Sequence, residues 1–211
     1  MEIDISSERI KGIFDIEQYC KDKNINTKKV KELYCQDNHI IELKGLEKLV
    51  NLEWLNCSYN EIKALNGLDK LVNLEVLYCN YNKIKALNGL NKLINLKCLY
   101  CENNKLTELK GLDKLVNLEV LDCSYNEIKA LNGLDKLVNL VWLNCNDNKL
   151  TDLKLNKLTN LKNLYCSYNE IKALNGLDKL VNLEYLYCDN NKMIKLRGLF
   201  DELVNLKKLK K

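Results

Sequence analysis

A unit of 22 residues recurs along this chain, and it limits the available folds more than any other feature does. The stretch 74–95 reads LEVLYCNYNKIKALNGLNKLIN, and its recurring positions are L-x-x-L-x-C-x-x-N-x-I-x-x-L-x-G-L-x-x-L-x-N. Such self-similarity is typical of solenoids, in which stacked units bury a continuous core. We therefore expect one elongated domain. Complete units begin at Val30, Leu52, Leu74, Leu96, Leu118, Leu140, Leu161 and Leu183, and a truncated ninth begins at Leu206.

Each unit has the pattern of one coil. Leu74, Leu77 and Cys79 alternate with other positions over a short stretch, which predicts a strand with these side chains on one face. The next apolar residues, beginning with Ile84 and Leu87, are too irregularly spaced for one strand and too sparse for a long helix. Stacked coils of this kind place equivalent strands side by side in a parallel sheet.

This pattern closely resembles that of leucine-rich repeat proteins over about residues 30–211, with Cys at the third apolar position and Asn82 at the Asn/Cys position. The period and the Ile after the Asn are most similar to the internalin-type and phosphatase-regulatory-subunit-type class. The Lys-, Asn-, Ile- and Tyr-rich composition also resembles leucine-rich repeat proteins of giant amoeba-infecting viruses. The resemblance implies an α/β solenoid, a right-handed horseshoe or arc with a parallel concave β-sheet, a 3₁₀ or irregular convex side, and protein binding through the concave face.

Residues 1–29 do not fit the repeat. Ile10, Ile13, Phe14 and Cys20 recur at helix-like steps, and Ser7 can act as an N-cap. We therefore predict a helical cap that begins at Ser6 or Ser7 and ends near residue 22, and that covers the apolar side of the first repeat. A small functional head domain is the alternative.

Asn and Gly each occupy one position of the repeat. A buried Asn can hydrogen-bond to backbone groups of its own turn and of the next coil, which favours a structural ladder over a ligand-binding row. The series is Asn38, Asn60, Asn82, Asn104, Asn126, Asn148, Asn169 and Asn191. The glycine position predicts a positive φ or close packing between coils. Its members are Gly45, Gly67, Gly89, Gly111, Gly133, Gly176 and Gly198, and the unit that begins at Leu140 has lost it and is one residue shorter.

Cysteine also occurs once per unit, at a core position, as Cys35, Cys57, Cys79, Cys101, Cys123, Cys145, Cys166 and Cys188. Packed thiols, a chain of disulfides and a metal site are the possible interpretations. Neighbouring strands ~4.8 Å apart with parallel Cβ vectors hold Cβ atoms farther apart than the ~3.8 Å of a disulfide. We expect reduced thiols, no metal and no cofactor. Cys98 and Cys101 form a C-x-x-C, but alternation places them on opposite faces of their strand.

Charge and composition exclude several classes of partner. The chain has 33 basic and 29 acidic residues, a net charge of +4, no basic stripe and no apolar run long enough to span a membrane. We therefore expect neither nucleic acid nor a membrane as partner. No secretion signal is visible in MEIDISSERIKG, which predicts a cytoplasmic protein, in the host cytoplasm if the protein is viral, and we expect a monomer. No catalytic constellation is found, so we do not expect an enzyme.

The exposed positions that vary between units are the candidates for recognition. They flank the second Leu of each strand and are rich in Tyr and Trp, which are common at binding hot spots. The alternative is that the aromatic residues only stack to stabilise the sheet. The predicted partner-binding residues are Trp54, Val76, Tyr78, Cys98, Tyr100, Asp122, Trp142, Asn144, Tyr165, Tyr185 and Tyr187.

Three functions follow from these patterns. The sequence favours a non-enzymatic interaction scaffold that binds a protein or peptide through the strands. The second interpretation is a targeting or regulatory subunit that directs a separate enzyme, such as a phosphatase or a ubiquitin ligase. The third is an enzyme with Cys98 as nucleophile.

Overall fold

The computed structural model describes residues 1–193 and 203–211. Residue Gly198 of the glycine series lies outside the described residues. In chain order the helix and strands are β1 (Glu2–Asp4), β2 (Lys11–Asp15), α1 (Ile16–Asp22), β3 (Glu32–Tyr34), β4 (His39–Lys44), β5 (Trp54–Asn56), β6 (Val76–Tyr78), β7 (Cys98–Tyr100), β8 (Val120–Asp122), β9 (Trp142–Asn144), β10 (Asn163–Tyr165), β11 (Tyr185–Tyr187) and β12 (Lys208–Lys210).

Ten of these strands form one parallel sheet, ordered as they occur in the sequence, and β2 with β4 forms a separate parallel pair. Strands of consecutive units pair in register, so that Leu77 lies opposite Leu99. The shorter unit that begins at Leu140 keeps this register, because Leu143 lies opposite Leu164. The central Leu and the following Cys of each unit face a continuous buried core. The predicted parallel-sheet solenoid is therefore confirmed.

The Asn of each unit joins neighbouring coils. Asn104 Nδ2 donates to the carbonyl oxygens of Cys79 at 3.0 Å, Cys101 at 3.1 Å and Glu102 at 3.3 Å. Its Oδ1 accepts a hydrogen bond from the Ile84 amide at 2.9 Å. The other ladder Asn residues repeat this arrangement, so the predicted structural role is confirmed.

The described members of the glycine series come directly before the 3₁₀ turns of their coils. Gly111 has a φ of +96°, and a Cβ atom there would lie 3.4 Å from the Leu87 carbonyl oxygen. The six described members all have positive φ, as predicted, and precede the turns Leu46–Lys48, Leu68–Lys70, Leu90–Lys92, Leu112–Lys114, Leu134–Lys136 and Leu177–Lys179. In the unit that lacks the Gly, Lys154 takes a φ of +48° and residues 140–160 form no 3₁₀ turn.

The N-terminal segment differs from its prediction. The expected helix from Ser7 is wrong over its first half, because α1 begins only at Ile16 and Asp15 is its N-cap, accepting from the Gln18 amide. Ser7 has a φ of +56°, and Ile13 is 58% exposed within β2. The physical reason is that the first repeat has free strand edges. β1 pairs with β3 and β2 pairs with β4, and these pairs make the backbone hydrogen bonds that a helix would otherwise have made.

Residues 1–29 continue the sheet by one strand instead of capping it with a helix alone. Ile3 and Ile5 are buried in the core beside the first repeat, and Ile16 and Cys20 of α1 are buried there too. Asn38 Nδ2 donates to the Ile5 carbonyl oxygen at 2.9 Å, so the Asn ladder extends into this segment. Among the described residues, no helix is long and apolar enough to cross a membrane.

Candidate binding face

Three rows of side chains cover the side of the main sheet that faces away from the core, and we call them together the open face. The first row precedes the central Leu of each strand, and the second row follows it. The third row follows the core Cys. All the predicted partner-binding residues lie in the first two rows and are partly exposed: Trp54, Val76, Tyr78, Cys98, Tyr100, Asp122, Trp142, Asn144, Tyr165, Tyr185 and Tyr187. Their role in binding stays a prediction.

Aromatic side chains form one group in each half of the open face. In the first half, Trp54 and Tyr78 lie 5.4 Å apart between ring centroids, and Tyr78 stacks on Tyr100 at 4.5 Å with an interplanar angle of 1°. The second half repeats this arrangement with Trp142–Tyr165 at 5.6 Å and Tyr165–Tyr187 at 4.9 Å. The Tyr–Tyr pairs therefore stack and the Trp–Tyr pairs make tilted contacts, as the alternative interpretation expects, and the rings also remain partly exposed to a partner.

A polar segment separates the two aromatic groups. Ser124 Oγ donates to Asp122 Oδ1 at 2.6 Å, and Asn144 Nδ2 donates to Asp122 Oδ2 at 3.0 Å. Both carboxylate oxygens are thus held by neighbours. The predicted residues Asp122 and Asn144 form one fixed polar contact between the aromatic groups.

The third row was missed by the sequence analysis, although alternation along the strand would have placed it on the same face as the first two. Its most unusual member is Glu102, where burial raises the pKa to about 7 against a hydrogen bond from Asn80 that lowers it. Its neighbour Asn80 is buried, whereas Glu102 itself is partly exposed. The row consists of Gln36, Ser58, Asn80, Glu102, Ser124, Asn146, Ser167 and Asp189.

The residue before each ladder Asn adopts a left-handed backbone conformation, with φ between +52° and +56° in all eight units. Asp and Asn, which fill this position in four units, tolerate that conformation, whereas bulky residues rarely adopt it. The other four units place an exposed tyrosine there, and Tyr59 stacks on Tyr81 at 4.3 Å. These strained and exposed tyrosines are Tyr59, Tyr81, Tyr125 and Tyr168.

The cysteines do not form a reactive site. The eight core cysteines are buried with free thiols, and burial raises the pKa of Cys101 and Cys123 well above the ordinary value. Cys98 is partly exposed, and burial together with the Glu119 carboxylate also raises its pKa. In the described part of the chain, no group of three or more His, Cys, Asp or Glu residues is placed to hold a metal ion.

We predict that the native chain reacts with a thiol reagent such as Ellman's reagent at Cys98 alone, and slowly. The thiolate is the reactive form, and raised pKa values keep it scarce. In denaturant all ten thiols should react. Absorbance at pH 8 gives the number and the rate, and Cys98→Ala should abolish the native reaction. Rapid labelling of several thiols in the folded protein would contradict this result.

Comparison with known proteins gives the family. The family model for leucine-rich repeats in two copies matches residues 28–70, 50–92 and 94–136, which together cover just over half of the chain. No curated protein matches the chain in sequence.

Solved structures show where similar folds occur. Internalin C2 from Listeria monocytogenes is 22% identical over 99% of this chain and 79% of that one, with a TM-score of 0.77, and at this identity the likeness shows the fold alone. The functional domain of InlJ from the same species, which includes a cysteine ladder, is 29% identical over 78% of this chain and 40% of that one, with a TM-score of 0.59. A chain of the octameric complex of latrophilin 3, Unc5D and the FLRT2 repeats is 25% identical over 86% of this chain and 60% of that one, with a TM-score of 0.75.

Proposed function

Because the chain belongs to the leucine-rich repeat family, we propose that it is a non-enzymatic scaffold that binds a protein or peptide through the open face of its main sheet. Proteins of this family generally serve as interaction scaffolds, and one similar chain takes part in an octameric complex with other proteins.

The observation that carries the proposal is the pair of aromatic groups on the open face. Each contains one Trp and two Tyr residues that are partly exposed and held in place by ring contacts. Aromatic side chains that are fixed before binding lose little conformational entropy when a partner covers them. The four strained tyrosines support the same conclusion, since backbone strain often persists where function requires it.

We expect Trp142→Ala with Tyr165→Ala to remove most partner binding, because each lost hot-spot aromatic typically weakens binding by ~2 kcal/mol or more. Affinity purification with mass spectrometry from the native cell, using the wild-type and variant chains as bait, measures this. Val116→Ala with Val138→Ala is the matched control, because these exposed residues lie outside the open face. Equal recovery of the same partners by a folded Trp142→Ala, Tyr165→Ala variant would contradict the proposal.

A second candidate is a regulatory subunit that directs a separate enzyme, such as a phosphatase or a ubiquitin ligase. The repeat period, which resembles the phosphatase-regulatory-subunit type, favours it. Co-purification of an enzyme in amounts equal to the chain would distinguish it from a simple scaffold. The resemblance to viral repeat proteins, the monomeric state and the cytoplasmic location stay predictions.

A further inference from the structure

Four buried side-chain polar atoms in the described part of the chain have no hydrogen-bond partner, and all four belong to the first half of the open face. They are Gln36 Oε1, Trp54 Nε1, Asn80 Oδ1 and Glu102 Oε2, one from each of four consecutive units. Buried groups of this kind are rare in folded proteins, and each one calls for an explanation. Three of the four are acceptors, so a group that supplies donors would satisfy most of the cluster.

The second half of the open face is a matched comparison, because β5 and β9 have the same sequence, Trp-Leu-Asn. The two third-row residues that follow β9 in the next units are Ser167 and Asp189, at the places that Asn80 and Glu102 occupy after β5. Ser167 Oγ donates to Asp189 Oδ1, and Lys210 Nζ lies 3.3 Å from Asp189 Oδ2. In the first half Asn80 also hydrogen-bonds Glu102, but Asn80 Oδ1 and Glu102 Oε2 are buried without a partner.

The charge of the open face indicates which donor would fit. Its rows carry the carboxylates of Glu2, Asp4, Glu32, Glu102, Asp122 and Asp189, and no basic residue before Lys208, although the whole chain has a net charge of +4. Among these acids only Glu102 has a buried oxygen without a partner. Apart from Lys208 and Lys210 at the end of the face, the basic residues of the described chain therefore lie elsewhere, and the first half of the face complements a positively charged ligand.

We propose that Asn80 and Glu102 receive the guanidinium group of an arginine side chain supplied by the bound protein or peptide. The inference rests on the proposed function and specifies the chemistry of the partner. Asn80 and Glu102 each come two residues after the end of β6 and β7, which pair in register about 5 Å apart, a span that the planar fork of a guanidinium can bridge. Glu102 is partly exposed, so a ligand on the open face reaches its carboxylate by a side-chain rotation.

The surroundings of Asn80 and Glu102 fit the rest of an arginine side chain. The stacked rings of Tyr78 and Tyr100 lie in the adjoining row, where a guanidinium or its apolar stem can pack on an aromatic face. Glu102 interacts electrostatically with five titratable neighbours, and none of them is a cation. They are Asp122, Tyr59, Tyr78, Cys79 and Cys101. The ligand would therefore supply the positive charge that this site lacks.

Selection of random 12-residue peptides displayed on phage against the immobilised wild-type chain tests the proposal. Peptides retained by the wild type and lost by Glu102→Gln should share an arginine. The affinity of these peptides for the chain is measured by the fluorescence anisotropy of labelled peptide. It should be about 10- to 100-fold weaker when either Glu102 or the peptide's arginine is replaced by Gln, as expected for a charge-assisted contact. The two changes together should cost little more than one, because both remove the same contact. Asp189→Asn is the matched control and should change affinity less than about twofold.

The pH dependence gives a second measurement. With a Glu102 pKa of about 7, the ionised fraction of the free site falls about tenfold between pH 8 and pH 6, and wild-type affinity should fall with it. Glu102→Gln should remove this dependence. Glu102→Asn gives a second variant that the fold accommodates, because Asn occupies the same row at Asn80 and Asn146.

The outcomes separate this inference from the proposed function. Selected peptides without basic residues, or peptides that bind wild type and Glu102→Gln equally, would overturn the arginine site. If those peptides still require Trp142 and Tyr165, the scaffold proposal stands alone. If no peptide is retained by the wild type above the level on an unrelated protein, the result counts against both.

Discussion

Asn104→Ala is expected to lower the free energy of unfolding by about 3–5 kcal/mol, because it leaves several buried backbone groups without partners. The Asn104 side chain serves the carbonyl oxygens of Cys79, Cys101 and Glu102 and the amide of Ile84, and these groups belong to neighbouring coils. The residue is buried, with 4% of its surface exposed, so bulk water does not reach these groups. Urea denaturation followed by circular dichroism measures the change.

Two further variants separate this role from a general loss of one amide side chain. Asn117 Nδ2 also donates to a carbonyl oxygen of the preceding coil, that of Ile94, at 2.9 Å, but it is exposed. Asn117→Ala should therefore cost about 1 kcal/mol or less. Asn104→Asp keeps the shape but directs an acceptor toward three carbonyl oxygens, so it should destabilise at least as much as Ala. Similar losses for Asn104→Ala and Asn117→Ala would contradict the ladder argument.

The sequence predicted those parts of the fold that repetition enforces. The positions of Asn104 and Gly111 recur in the same local geometry in other units. The same residue type is therefore required, and observed, many times in a single chain. The same repetition identified the first two rows of the open face, because exposed positions are the ones at which the units differ. The ring contacts among Tyr78, Tyr100 and their neighbours followed from in-register pairing.

The remaining features depend on contacts that a single-sequence pattern does not contain. Ile10, Ile13 and Phe14 have helix-like spacing, yet the exposed edge of the first repeat pairs with that stretch as a strand. The third row was not among the predicted binding positions, because only the residues that flank the central Leu were considered. What makes Glu102 unusual is that burial raises its pKa to about 7. Burial of that kind requires the stacked coils and is not encoded at position 102 alone.

Removal of residues 1–29 is expected to make the chain aggregate. Val30, Leu33 and Cys35 of the first repeat are fully buried, and Ile3, Ile5 and Ile16 pack in the same core. The truncation exposes this apolar end. It also removes β1, which pairs with β3 in the intact chain, and so leaves the edge of β3 unpaired. Exposed apolar ends and unpaired edges lead repeat proteins to aggregate, which is why terminal units are atypical. Soluble yield and size-exclusion chromatography with light scattering measure the effect.

Deletion of residues 118–139 is the matched control, because it removes one internal unit of 22 residues and leaves both ends of the solenoid as they are. Leu99 would then pair with Leu143 in place of Leu121, and Tyr100 would face Asn144 in place of Asp122. Since each coil contacts only its neighbours, this shorter chain should fold cooperatively as a monomer, with a denaturant slope lower by about a tenth. If the internal deletion also aggregates, the coils are not independent units. If the N-terminal deletion remains a soluble monomer, residues 1–29 are not the cap that protects the core.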